Sequence, residues 1–366
     1  MSSFDINITE VEKQETHDLK YSYLMLNFSG KDVDHVLVNT LRRIMLNNIP
    51  TYAIAPECIT IEQNTSVFNN DQMRVRLIQL PILNTHVGVD YLPEKYWFNV
   101  DYASQEREIH DEEKSIEIYI SSKNDDENIR CVTTNDIKYY EDGKEIANKY
   151  NQKFPFVLIK LRPREIFVCR MKAVLGTGES SAIWAGVNNA SYNYDKTDAG
   201  GKAIIKIESQ GQMDEYELIW KATKYMQHKL ENLKTIISKK YADLPQKDVK
   251  DPQSFDITLD EESHTIGQIL ISHIQERDDI EYAGVGKKNE LIKQITMTFR
   301  YKKYMKEPLT PIMETIDKII SIMNFMEKKI YKLGNKYITS DVEEKKVNVE
   351  SEEVKKPKVK KVQKKK

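Results

Sequence analysis

The sequence predicts an α+β fold in which two related modules share one chain. Three observations carry this reading. First, one helical signature occurs twice, as Asp34-His35-Val36-Leu37-Val38-Asn39-Thr40-Leu41-Arg42-Arg43-Ile44-Met45 and as Ser263-His264-Thr265-Ile266-Gly267-Gln268-Ile269-Leu270-Ile271-Ser272-His273-Ile274. Each copy has a polar start, a His and then apolar residues at helical spacing. Second, each copy follows a strand-like segment and precedes a long amphipathic helix, and each leads into a Tyr-Ala pair, Tyr52-Ala53 or Tyr282-Ala283. Third, a polar β-like stretch with no counterpart interrupts the first copy. Two copies of one module can pack together as an internal pseudo-dimer, a geometry that concerns assembly rather than an active site.

The elements follow in order. Residues 5–14 and 20–28 read as strands; Tyr21, Tyr23 and Met25 alternate with Leu24, Leu26 and Phe28 at the period of two that a sheet needs. Gly30 breaks the second strand, and a helix over 32–47 carries the stripe Val33, Leu37, Leu41, Ile44 and Met45, flanked by Arg42 and Arg43. Pro50 closes the unit. An extended segment covers 52–63, and a short amphipathic piece over 71–80 ends at Pro81. Residues 84–161 turn polar, with β-like islands at 96–102, 116–121 and 156–161, and read as a β-rich insertion domain. Strands resume at 166–168, 171–175 and 203–208. A helix over 213–241 places Leu218, Ile219, Ala222, Met226, Leu230, Leu233 and Ile237 on one face. These segments give a first module over 1–83 and 162–241. Two prolines and polar residues mark 242–253 as a linker. The second module, 254–335, is expected as strand 254–260, helix 262–275, strands near 280–284 and 291–301, and a helix from Pro308 to Leu333. The charged remainder, 336–366, is expected to be disordered.

Composition narrows the function. The 366 residues carry 40% apolar and 31% charged side chains, as a globular protein with a charged surface does. The net charge of −2 conceals eight lysines between Lys355 and Lys366, so the body is acidic and does not resemble a basic nucleic-acid clamp. The three cysteines, Cys58, Cys131 and Cys169, are scattered, which points to a reducing intracellular compartment. No apolar run approaches the ~20 residues of a membrane span, and no secretory signal is expected.

No catalytic constellation stands out. Gly176-Thr177-Gly178-Glu179 lacks the third glycine and the Gly-Lys-Ser/Thr of a phosphate loop. No His-Glu-x-x-His or Cys-x-x-Cys occurs, so neither a metal nor any other cofactor is expected. Arg42 and Arg43 point about 100° apart on a helix; a solvated face and a partner contact both fit them. His35 and His264 read as packing or capping residues. The Lys-rich tail fits a tether for nucleic acid, a localisation signal or a solubilising terminus.

The stretch from Val38 through Arg42-Arg43 to Pro50-Thr51-Tyr52-Ala53-Ile54 resembles the alpha-motif of the RNA polymerase alpha family, which includes bacterial alpha, its archaeal D-type counterpart and the third-largest subunit of polymerase II. Asn64-Thr65-Ser66, Arg76-Leu77-Ile78-Gln79-Leu80-Pro81, Leu175 to Trp184 and Ile207-Glu208-Ser209-Gln210-Gly211 are similar to its later segments. The second module, through Ser263-His264-Thr265-Ile266-Gly267 and Tyr282-Ala283-Gly284, resembles the smaller archaeal L-type partner and the eleventh subunit of polymerase II. Cellular organisms make these as separate, heterodimerising chains, and fusions occur in large cytoplasmic DNA viruses. This chain departs from the family pattern at Ser181, which replaces a His, and at Val285-Gly286-Lys287-Lys288.

The resemblance implies two alpha-like modules forming an intramolecular pseudo-heterodimer. It also implies a non-catalytic platform that nucleates assembly of the two largest polymerase subunits beside a small platform subunit, without homodimerisation and touching DNA only through the complex, or through the tail. The interface residues it points to are Asn39, Leu41, Arg42, Arg43, Ile44, Gly176, Gly178, Trp184, His264, Thr265, Ile266, Gly267 and Leu270. A viral source would imply the host cytoplasm and the virion. Two competing readings are a nucleic-acid-binding protein acting through its basic tail and an enzyme with an unmarked site.

Overall fold

The computed structural model describes residues 4–15, 22–104, 106–198, 200–241, 253–289 and 292–338. The first module begins with strands β1 (Asn7–Gln14) and β2 (Tyr23–Gly30), followed by helix α1 (His35–Asn47). Asp34 starts that helix later than the expected residue 32, because its carboxylate accepts from the Leu37 N–H at 2.6 Å. After a long excursion come β10 (Val187–Thr197), β11 (Gly200–Ser209) and α3 (Glu215–Lys240). The sheet order is β1-β2-β11-β10, all antiparallel. Leu24, Leu26, Phe28, Ala203, Ile205 and Ile207 alternate into its core face.

The second module repeats this plan in less chain. Strand β12 (Ser254–Asp260) leads into α4 (His264–Gln275), then β13 (Ile280–Gly286), β14 (Gln294–Tyr301) and α5 (Thr310–Gly334). Its sheet order, β12-β14-β13, matches β2-β11-β10 strand for strand.

This match locates the insertion. Between α1 and β10 lie β3 (Pro50–Asn64), α2 (Asn70–Leu77), β4 (Ile116–Lys123), β5 (Arg130–Thr133), β6 (Ile137–Glu141), β7 (Lys144–Ile146), β8 (Val157–Leu161) and β9 (Ile166–Thr177). Five of them form one sheet, β3-β9-β4-β6-β7, while β5 pairs with β8. The β-rich insertion therefore runs from β3 to β9, and the boundaries expected at 84 and 161 fall inside it. Strands 50–64 and 166–177 each join a stretch buried on both faces, 50–55 and 173–177, to a more alternating one, and nothing in either pattern names a pairing partner. The Tyr-Ala pairs are not equivalent for the same reason. Tyr282 and Ala283 sit on β13, the counterpart of β10, whereas Tyr52 and Ala53 pair with β9.

The island expected at 96–102 is not a strand. A short 3-10 turn covers Glu94–Tyr96, and Trp97 is buried with its indole N–H donating to the Leu92 carbonyl at 3.1 Å. These apolar residues anchor a strap, residues 84–97, that crosses α3.

Helices α3 and α5 run antiparallel against each other, marked by Trp220 beside Tyr331, Gln227 beside Glu327 and Lys234 paired with Asp317 at 2.6 Å. Helix α1 packs on α3 and α4, and α4 on α5. Val36, Leu37, Leu41, Ile44, Ile266, Leu270, Leu230 and Ile319 thus share one continuous core across both modules. The N-terminal strand closes over α5: Phe4 packs edge-on to Phe325, and the Lys329 ammonium donates to the Ile6 carbonyl at 2.6 Å. Residues 336–338, expected as the start of a disordered tail, belong to the fold. Tyr337 stacks on Tyr216 at 5.6 Å between ring centroids, and Ile338 is buried. Residues 339–366 and 242–252, the remainder of the expected tail and linker, lie outside the described residues. None of the described helices is long and apolar enough to cross a membrane.

Candidate functional site

Helix α1 divides its surface sharply. Val36, Leu37, Val38, Thr40, Leu41, Ile44 and Met45 are buried. His35, Asn39, Arg42 and Arg43 recur at four, three and one residues, and so form a single outward stripe. Along it His35 and Arg43 are exposed, while Asn39 and Arg42 are half-buried. The Arg42 Nε donates to the Asn39 side-chain oxygen at 3.0 Å. That bond fixes one guanidinium on the helix surface, and Arg43 extends beyond it. The stripe therefore presents two cations and an amide on a rigid support.

The far end of α1 is tied down by the loop after β9. The Glu179 N–H donates to the Asn47 carbonyl at 2.7 Å, and Asn48 donates to the Glu179 carboxylate at 2.9 Å. Gly178 makes this approach feasible, since a Cβ there would stand 2.3 Å from the Leu46 carbonyl oxygen. Gly176 and Trp184, expected as partner contacts, are internal. Trp184 is 3% exposed, its indole N–H donates to the Val174 carbonyl at 3.0 Å, and its ring lies against Gly176 and Tyr102. What this segment offers outside is Ser180 and Ala182, which are exposed, while the Glu179 carboxylate is taken up by Asn48 and Lys293.

The second motif helix is placed mainly inward. Ile266, Gly267 and Leu270 are buried, Thr265 is half-buried and His264 is exposed at the helix start. Of the residues expected at an interface, Leu41, Ile44, Ile266, Gly267 and Leu270 thus face the interior, and Asn39, Arg42, Arg43 and His264 reach the surface.

Pattern reading misses the polar groups in the seam between the modules. Lys229 on α3 meets Glu262 at 2.9 Å, and Lys293 meets Glu179 at 2.8 Å and also Glu94. Charged residues at such spacings read as solvated faces, so no local signal marks them. The strap is held by a similar device. The Lys221 ammonium, almost wholly buried, donates to the Val87 carbonyl at 2.7 Å and pairs with Asp90 at 3.1 Å, while Lys224 reaches Asp90 at 2.7 Å. Burial pushes the Asp90 carboxyl up, but Lys221 and Lys224 more than reverse this and hold it below its ordinary range. Among the described residues no group of three His, Cys, Asp or Glu side chains is arranged to hold a metal ion. Burial pushes the Cys169 thiol up to about 12, which leaves it protonated and inert.

The sequence pattern of the RNA polymerase Rpb3/Rpb11 dimerisation domain matches residues 27–230, and a second pattern of the same description matches residues 254–329. The two matches fall on the two modules. A chain of Acanthamoeba polyphaga mimivirus, provisionally named a DNA-directed RNA polymerase subunit, is 26% identical over 84% of this chain and 88% of its own length. Subunit 3 of RNA polymerases II, IV and V from Arabidopsis thaliana is 25% identical over 50% of this chain, which spans 57% of that relative. The rpac1 subunit of RNA polymerases I and III from Dictyostelium discoideum is 26% identical over 58% of this chain and 66% of its own length. With its two halves matched in order and paired in space, the chain belongs to the RNA polymerase Rpb3/Rpb11 dimerisation-domain family, as an alpha-like subunit that carries both members of the pair.

Proposed function

We propose that this chain is a non-catalytic assembly platform of a multisubunit DNA-directed RNA polymerase, and that the outward stripe of α1 docks the second-largest subunit. One observation carries the reading. The inner face of α1 is consumed within the chain, by β10, β11 and α3 of its own module and by α4 of the second, while His35, Asn39, Arg42 and Arg43 remain on the outside. Internal pairing therefore completes the dimer and leaves the stripe available to another chain. It also occupies the face that a homodimer would need. The names of the relatives support a place in the polymerase and no more; the largest subunit and a small platform subunit are the further partners of this proposal.

The test is recovery of the two largest polymerase subunits on the tagged full chain, read by mass spectrometry from cells that carry the rest of the enzyme. Arg42→Glu with Arg43→Glu is expected to lower recovery about tenfold or more, because reversed charges across an interface repel, with an unchanged melting temperature. Equal recovery by the folded variant overturns the docking assignment. Deletion of 339–366 discriminates the alternative. Assembly survives the deletion if the α1 stripe docks the partner. Loss of nucleic-acid binding together with both large subunits would favour action through the tail.

A further inference from the structure

The seam carries charge where the corresponding position of the other module is apolar. Both motif helices begin on a cap residue, Asp34 for α1 and Ser263 for α4. Registered on these caps, Glu262 of the second module corresponds to Val33 of the first. Val33 is a core residue, 2% exposed. Glu262 is nearly as buried, at 6%, and its carboxylate meets the Lys229 ammonium. Burial works against both charges: Glu262 more than reverses it for the Lys229 ammonium, which is held above its ordinary value, whereas Lys229 offsets it only in part for the Glu262 carboxyl, which stays raised. A second lysine, Lys293, sits just before β14 and bridges Glu94 and Glu179. Every one of these pairs joins the second module to the other half of the chain: Lys229 comes from α3, Glu94 from the strap of the insertion and Glu179 from the loop after β9, whereas Glu262 and Lys293 come from the second module. Together they surround a cavity of about 30 Å³ that Ile44, Thr265 and Ile266 also line.

A buried ion pair contributes little more to stability than an apolar pair of the same shape, yet a buried charge that has lost its partner is costly. The buried pair of Lys229 with Glu262 therefore matters most when the wrong surfaces meet, and the part-exposed pairs of Lys293 add a smaller preference of the same sign. In a contact between two first modules, Val33 would stand where Glu262 stands, and Lys229 would be buried without a carboxylate. In a contact between two second modules, Glu262 and Lys293 would lose Lys229, Glu94 and Glu179. We infer that Lys229 with Glu262, supported by Lys293 with Glu94 and Glu179, is the specificity determinant of module pairing: it directs each module to the other and rejects copies of itself. This assignment stands or falls independently of what docks on α1.

The test uses the full chain with a protease site placed within 242–252 and cut after folding. Native mass spectrometry on dilution then reads which halves stay together. The wild-type halves are expected to persist as a one-to-one pair. Glu262→Lys or Lys229→Glu alone should make the halves separate at about tenfold higher concentration or more, since each strands two like charges in a buried seam. Lys229→Glu combined with Glu262→Lys should restore the pair. Lys229→Met with Glu262→Met should keep the pair but admit like-with-like dimers, and it decides the matter where a single reversal prevents folding. Three results overturn the inference: a single reversal that pairs as wild type does, a folded double reversal that does not regain pairing, or an apolar variant that still excludes like-with-like dimers.

Discussion

The indole of Trp184 lies across the backbone of Gly176, with ring atoms 2.7 Å from where a Cβ would stand. The same indole donates to Val174, and its own backbone carbonyl accepts from the Thr51 hydroxyl. The ring therefore clamps β3, β9 and the following 3-10 turn at the junction of the insertion with the first module.

Gly176→Ala is consequently expected to force the ring out of register. Overpacking of this kind costs about 1–3 kcal/mol. Chemical denaturation of the full chain would show it, with a matching change in tryptophan fluorescence. Unaltered stability would mean that the ring is not seated on the glycine.

Lys221 is the point of attachment of the strap to α3. Lys221→Met removes its bonds to the Val87 carbonyl and to Asp90 and leaves Asp90 with Lys224 alone. Breaking a buried pair from one side is expected to cost about 3 kcal/mol. Hydrogen exchange should accelerate across residues 84–97 before it does in the sheet of β2 and β11. Uniform acceleration throughout the chain would count against a locally held strap.

Glu217 gives the strap a pH dependence of defined sign. Burial pushes its carboxyl from the ordinary 4.5 up to about 7; Lys221 and His86 pull it down, and Asp214 and Asp90 push it further up. The folded chain therefore holds this proton more tightly than the unfolded chain does. The resulting stability is present in full below about pH 4.5 and is lost as pH rises to about 7. Glu217→Gln should flatten stability across that window and raise it at pH 7.5 by on the order of 2 kcal/mol. Denaturant midpoints measured from pH 4 to pH 8 test this, and a variant as steep as the wild type would assign the slope to another group.

Much of the secondary structure is legible locally. Leu24, Leu26 and Phe28 announce a strand by alternation, and the Leu218-to-Ile237 and Ile312-to-Met323 stripes announce the long helices by their spacing. Strand β10 escapes this reading because it is the outer strand of its sheet. Most of its side chains face solvent, and its only rhythm is the short alternation of Ala190, Tyr192 and Tyr194, of which the two tyrosines are just half-buried, so the apolar signal is weak. The site divides similarly. Arg42 and Arg43 are marked by their motif, whereas Lys229, Glu262 and Lys293 are separated by dozens of residues and look like surface charges until α3, α4 and β14 bring them together.

The sequence by itself determined that this chain holds two versions of one module and that its motif helices have an apolar side to bury. Those properties are periodic and local, and each window of the chain expresses them independently. Only the tertiary structure decided which strands join β3 and β9, that Trp184 is a clamp rather than a contact, and which charges meet across the seam. Sheet pairing and ion pairing depend on distances between segments far apart in the chain, and no local pattern encodes those distances.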